Sequence, residues 1–164
     1  MPELVRSVVS RVRGFFKDRR QSPRLRVRLV FGVGIKREVN GSGANRRAKT
    51  LQGHTRDLSA RGMALLVPQV HLDGHHLAAE GRELTVELQI GSGDPVSMIV
   101  APRRYERLEE TELGCAYLIG VRIMKISEPD QARYQSFIRE GLENSKRTST
   151  IRRPAAGESP ASAT

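Results

Sequence analysis

Several residue types are scarce in this chain, and each scarcity removes a class of protein. A single cysteine, Cys115, excludes an intrachain disulfide and fits a reducing, cytoplasmic setting. Tryptophan is absent and aromatics make up only 4% of 164 residues, so the stacking platforms of a single-strand nucleic-acid binder are in short supply. No apolar run approaches the roughly 20 residues that a membrane span needs. The first 18 residues are interrupted by Arg6, Arg11 and Arg13, and are not expected to act as a secretory signal. There is no internal repeat.

Basic residues, in contrast, are plentiful. The formal net charge is +10, which points to an anionic partner. The charge is unevenly placed: residues 1–28 hold nine Arg or Lys against Glu3 and Asp18, a local +7. With 38% hydrophobic and 28% charged residues, the composition suits one globular domain with appendages.

Residues 3–17 read as an amphipathic helix, with Leu4, Val5, Val8, Val9, Val12, Phe15 and Phe16 on one face. Its valines weaken it in isolation, so it needs something to pack on. Docking on its own domain is the simplest reading; contact with a partner or a membrane surface is the alternative. Pro23 ends the polar hinge that follows. Leu25 to Ile35 alternates with period two, as a half-buried strand does. Lys49–Leu58, Met63–Val67, Leu84–Ile90, Val96–Ala101 and Tyr117–Ile126 supply further strands, and Ser59–Gly62 and Gly91–Asp94 supply turns. Gln69 to Gly81 reads as irregular, and Glu106 to Glu112 as a solvated loop or hairpin end.

Ser127-Glu128-Pro129-Asp130 starts a closing helix: a hydroxyl cap, proline in the first turn and a carboxylate three residues after the cap. Tyr134, Phe137, Ile138 and Leu142 form its apolar stripe. Beyond Asn144 the composition has little to bury, and residues 144–164 are expected to be a disordered tail. The expected fold is all-β with flanking helices: a six-stranded antiparallel barrel, whose closure removes exposed strand edges.

Two runs carry the chemistry. Arg19-Arg20-Gln21-Ser22-Pro23-Arg24 places guanidinium forks on an entry segment, where they suit phosphate oxygens or the O6/N7 edge of guanine. Asp57-Leu58-Ser59-Ala60-Arg61-Gly62 sets a carboxylate and a hydroxyl two residues apart, hence on one face of an extended segment. The carboxylate can accept from guanine N1–H and N2–H. The glycine supplies a turn, or a close approach that a Cβ would obstruct. Taken singly, the first run is a solvated basic face and the second a turn between strands.

Taken together, Arg20-x-x-x-Arg24 followed by Asp57-x-Ser59-x-x-Gly62 resembles the paired signature of PilZ domains, bacterial receptors for cyclic di-GMP. Gly120 to Ile126 resembles the last barrel strand of that family. The resemblance spans residues 19–142, and places the barrel domain with its C-terminal helix at 19–143, after a helix at 1–18. It implies cyclic di-GMP as ligand, with Arg19, Arg20, Arg24, Asp57, Ser59 and Gly62 as ligand-binding residues, and neither catalysis, metal nor cofactor. It also implies a cytoplasmic switch that acts on a downstream protein partner in motility, attachment or exopolysaccharide output. A PilZ-fold adaptor that binds no nucleotide is the rival reading, and nonspecific nucleic-acid binding by the basic charge is a third.

Two further constellations have bland explanations. His54, Asp57 and Ser59 sit in one local segment, without the nucleophile elbow or oxyanion arrangement of a hydrolase. His71, Asp73, His75 and His76 read as solvated loop residues, since no thiolate pair or helical spacing supports a metal site. Cys115 reads as core.

Overall fold

The computed structural model describes residues 22–36 and 49–151. Arg19, Arg20, the helix expected over residues 3–17 and the loop at 41–45 lie outside the described residues. The elements are β1 (Leu25–Arg26), β2 (Val30–Ile35), β3 (Leu51–Ser59), β4 (Gly62–Val67), β5 (His71–Leu72), β6 (His75–His76), β7 (Leu84–Leu88), β8 (Val96–Glu112), β9 (Cys115–Ile126) and α1 (Glu128–Ile151).

The main sheet runs β1-β3-β2-β7-β8-β9-β4, and a further β3–β4 pairing closes it. Strands β2, β3, β4, β7, β8 and β9 thus form a six-stranded antiparallel barrel, with β1 continuing the β2 edge along β3. Alternation fills it: Phe31 and Val33, Val86 and Leu88, Val96 and Met98 point inward and are buried. Tyr134 and Ile138 of α1 join the same core.

The expected Leu25–Ile35 strand is interrupted. On β3 the register moves three residues, from Asp57 to His54, while the paired chain moves four, from Arg26 to Val30. The extra residue is a bulge in Val27–Leu29. Buried Thr55 stitches it: its Oγ1 donates to the Val27 carbonyl at 2.7 Å and accepts from the Leu29 amide at 3.0 Å. A second irregularity, at Arg56, shifts the β3–β4 register between Thr55 and Asp57.

Three further expectations need correction. Gln69–Gly81 is not wholly irregular, because β5 and β6 form a hairpin there, turned by Asp73 (φ 54°) and Gly74 (φ 79°). Asp-Gly is a favoured sequence for such a turn. The strand expected at Val96–Ala101 runs on to Glu112, so that of the two readings of Glu106–Glu112 the hairpin end holds and the solvated loop does not: it is the arm of a long β8–β9 hairpin turned by Leu113 (φ 48°) and Gly114 (φ 78°). Finally, α1 continues past Asn144 to Ile151, within the stretch expected to be a disordered tail. Residues 143–149 are exposed; Thr148 and Ser149 donate to the carbonyls four residues back, and the helix is carried by propagation from its packed first half.

The start of α1 follows expectation in part. The Asp130 amide donates to Ser127 Oγ at 3.4 Å, so Ser127 is the cap. The Asp130 carboxylate does not return to the cap residue; it accepts from the Ser97 amide at 3.2 Å and ties the helix to β8.

Candidate functional site

Strand register lays out the site on the outer wall of the barrel. Arg26 stands opposite Asp57, Asp57 opposite Ala64, and Ala64 opposite Gly120. Directly opposed residues of an antiparallel pair point to the same face, so these four make one row. The neighbouring row holds Ser59, Gly62 and Arg122. Continued by one residue, the β1–β3 register brings Arg24 alongside Ser59. Leu25, Leu58, Met63 and Val121, in the row between, point inward and are buried.

The outer rows are therefore low in the middle, at Gly62, Ala64 and Gly120, and cationic at both ends. Arg24 and Arg26 are exposed at one end. Arg122 is exposed at the other, and Arg104 stands opposite Gly120, with its Cγ 3.1 Å from where a Cβ on that glycine would lie. Among the described residues Arg24, Arg26, Arg122 and Asp57 form no ion pair with one another or with any other side chain. The forks and the carboxylate keep their hydrogen-bonding capacity for something else.

Asp57 and Ser59 share a face as the alternation requires, with Leu58 between them in the core. Ser59 Oγ donates to the Gly62 carbonyl at 3.2 Å and holds the β3–β4 turn. Gly62 does not adopt the left-handed conformation; its need for glycine is steric. The Val121 carbonyl of β9 occupies the space a Cβ would take, so the residue permits a close approach of strands.

Helix α1 reaches the same turn. Tyr134 donates its hydroxyl to the Ser59 carbonyl at 2.7 Å, with the Gly62 carbonyl at 3.2 Å. Burial pushes its ionisation up, the Asp57 charge adds to this, and the bond to Ser59 opposes it. The motif is therefore braced from the interior as well as by its neighbours. Neither this brace nor the cross-strand position of Arg122 is carried by local spacing; Arg26, two residues from Arg24 in an alternating strand, is the one neighbour that the pattern itself signals.

The other constellations come apart. His54 hydrogen-bonds neither Asp57 nor Ser59; its Nδ1 lies 3.7 Å from Cys115 Sγ, in a small buried cluster with Leu66 and Leu118. Burial raises the Cys115 thiol ionisation, the His54 contact lowers it and the Glu112 charge raises it. The His71 and His76 rings meet edge to face at 4.9 Å across β5–β6, and Asp73 pairs with Lys49 at 3.2 Å. No group of three or more such residues among the described ones is placed to hold a metal ion. No helix of the described residues is long and apolar enough to cross a membrane.

A closed six-stranded antiparallel barrel, braced by a C-terminal helix and carrying Arg24 and the Asp57-x-Ser59-x-x-Gly62 segment on its outer wall, defines a class of small β-barrel domains. The sequence profile of the PilZ domain matches residues 18–140, and the chain belongs to the PilZ domain family. Among solved structures it is similar to the PilZ domain with c-di-GMP of YcgR from Escherichia coli: 16% identity, TM-score 0.55, covering 82% of this chain and 99% of that one. It is also similar to the MrkH–c-di-GMP complex of K. pneumonia, at 17% identity and TM-score 0.57, covering 79% of this chain and 55% of that one. A third similarity is to the Bacillus subtilis inhibitor of motility MotI/DgrA, at 16% identity and TM-score 0.54, covering 77% and 52%. The chain thus spans about half the length of MrkH and MotI/DgrA. These likenesses are of fold. A search of curated proteins finds no match.

Proposed function

We propose that this chain is a receptor for cyclic di-GMP, bound on the outer wall of the barrel and without catalysis. The observation that carries the reading is the register that puts Arg26 opposite Asp57 and brings Arg24 beside Ser59, with all four on one face. A carboxylate that accepts from a guanine Watson–Crick edge, next to arginine forks that take phosphate or the Hoogsteen edge, matches a ligand with two guanines and two phosphodiesters. Arg19, Arg20 and Arg24 supply the grips, Asp57 and Ser59 the barrel side, and Gly62 the shape of the turn. The presence of c-di-GMP with the YcgR domain and with MrkH supports the choice of ligand.

Binding would draw the arginine segment onto the barrel and reorient residues 3–17, changing which protein partner their apolar face meets. The ligand shifts that equilibrium only by its different affinity for the two arrangements. Control of motility, attachment or exopolysaccharide output is the expected consequence in a bacterial cytoplasm.

Calorimetric titration with cyclic di-GMP tests the reading, with GMP and duplex DNA as comparators. Saturable binding that survives competing DNA is expected, and Arg24→Ala should weaken it by about 1–3 kcal/mol if the fork is bidentate on guanine. No heat from the intact chain would leave a nucleotide-free adaptor in its place. Binding to any DNA that fades steeply with salt would mark a general polyanion binder.

A further inference from the structure

The β3–β4 turn has a second side. Beyond it, between the turn, the end of β9 and the first turns of α1, lies a cavity of about 420 Å³. Ala60, Arg61, Arg122, Met124, Lys125 and Tyr134 are in its lining, which contains no acidic residue. Its three cations have no ion-pair partner among the described residues. Its size falls within the range of small-ligand sites, ~300–1,000 Å³.

The cavity is contiguous with the wall already described. Arg122 lies opposite Gly62, and Gly62 opposite Ser59, so one row of side-chain positions leads from the hydroxyl to the cavity with no side chain between. The Ile123 amide donates to the Arg61 carbonyl at 2.8 Å, which fixes the turn against β9 and holds Arg61 and Arg122 on a common rim. An unpaired guanidinium–guanidinium–ammonium set is electrostatically unfavourable by itself and is relieved by an anion.

We propose that Arg122, with Arg61 and Lys125, forms an anion subsite on the far side of the turn that takes a phosphodiester of the bound dinucleotide. The ligand then straddles the turn, held by Arg24, Asp57 and Ser59 on one side and by Arg122 on the other. Gly62 leaves the row between Ser59 and Arg122 without a side chain, its Cβ position being taken by the Val121 carbonyl. This assignment rests on the reading of the chain as a cyclic di-GMP receptor and adds a determinant outside the two sequence motifs.

The experiment is calorimetry of the full chain with cyclic di-GMP, comparing wild type, Arg122→Ala, Arg122→Lys, Lys125→Ala and Arg147→Ala. Arg147 is an exposed helical arginine, and its removal changes the net charge by the same amount. Arg122→Ala is expected to weaken binding about tenfold or more, as loss of a charge-assisted hydrogen bond does, with partial recovery in Arg122→Lys. Lys125→Ala should weaken binding by a smaller factor and reads the same subsite if Arg122→Ala fails to fold. Arg147→Ala should stay within about twofold, as surface changes away from a site do. Wild-type binding with unchanged affinity in Arg122→Ala and Lys125→Ala overturns the subsite alone, as does an equal loss in Arg147→Ala. Absence of wild-type binding overturns the receptor reading, and the subsite with it.

Discussion

The hydroxyl of Tyr134 donates to the Ser59 carbonyl at 2.7 Å, joining the C-terminal helix to the middle of the Asp57–Gly62 segment. The contact passes from the buried core to a residue of the outer wall, so the stability of α1 and the geometry of the proposed ligand turn are linked. A rearrangement of the turn on binding must change this bond, and a change in helix packing must move the turn.

Tyr134→Phe keeps the packing and removes the bond. A loss of about 1–2 kcal/mol in the urea unfolding free energy is expected near neutral pH. The pH dependence has a definite sign. The hydroxyl's ordinary value is 10.0, and burial raises it in the native state, so at alkaline pH the unfolded chain releases a proton that the folded one retains. The native state then binds more protons, and stability falls as pH rises above about 10. The difference between wild type and Tyr134→Phe should therefore shrink between about pH 9 and 11, whereas a constant difference would dismiss the linkage.

Thr55→Val conserves volume in the core but removes both bonds across the Val27–Leu29 bulge. Two backbone groups lose their partner, at an expected cost of roughly 2–4 kcal/mol. Because the bulge sets the pairing of Arg26 with Asp57, dinucleotide affinity should fall as well, measured on the folded fraction by calorimetry.

Gly62→Ala places a methyl where the Val121 carbonyl lies. The ligand-free protein should lose at least ~1–3 kcal/mol of stability, the usual cost of overpacking, seen as a lower urea midpoint. A variant that keeps its midpoint and loses only ligand affinity would show that the glycine serves the ligand rather than the β4–β9 approach.

Leu113 sits at φ 48° in the hairpin turn Leu113-Gly114 and is 67% exposed, so its side chain gains little there. A two-residue turn of this hand prefers Asn at its first central position. Leu113→Asn should raise stability by about 0.5–1 kcal/mol, read as a higher melting temperature with unchanged ligand binding.

The strands, the capped closing helix and the shared face of Asp57 and Ser59 were legible because they rest on short-range chemistry. Leu58 between Asp57 and Ser59 already places two polar groups on one face, and Ser127 followed by Pro129 already marks a helix start. The β5–β6 hairpin had a local signal too, in Asp73-Gly74. The long β8 did not: from Arg103 to Glu112 nearly every residue is exposed and polar, and only pairing with β9 makes it a strand.

Sequence by itself therefore determined the alternation that fills a barrel, the cap that starts α1, and the one face shared by Asp57 and Ser59. Tertiary structure decided which of those residues share a wall. One residue of slippage at Val27–Leu29 chooses Arg26 as the neighbour of Asp57, another at Arg56 sets Asp57 opposite Ala64, and closure of the sheet brings Arg122, sixty positions away, across from Gly62. The reason is physical: side-chain identity is local, but register between distant strands follows from the packing of the whole core, and a one-residue shift turns every side chain to the opposite face.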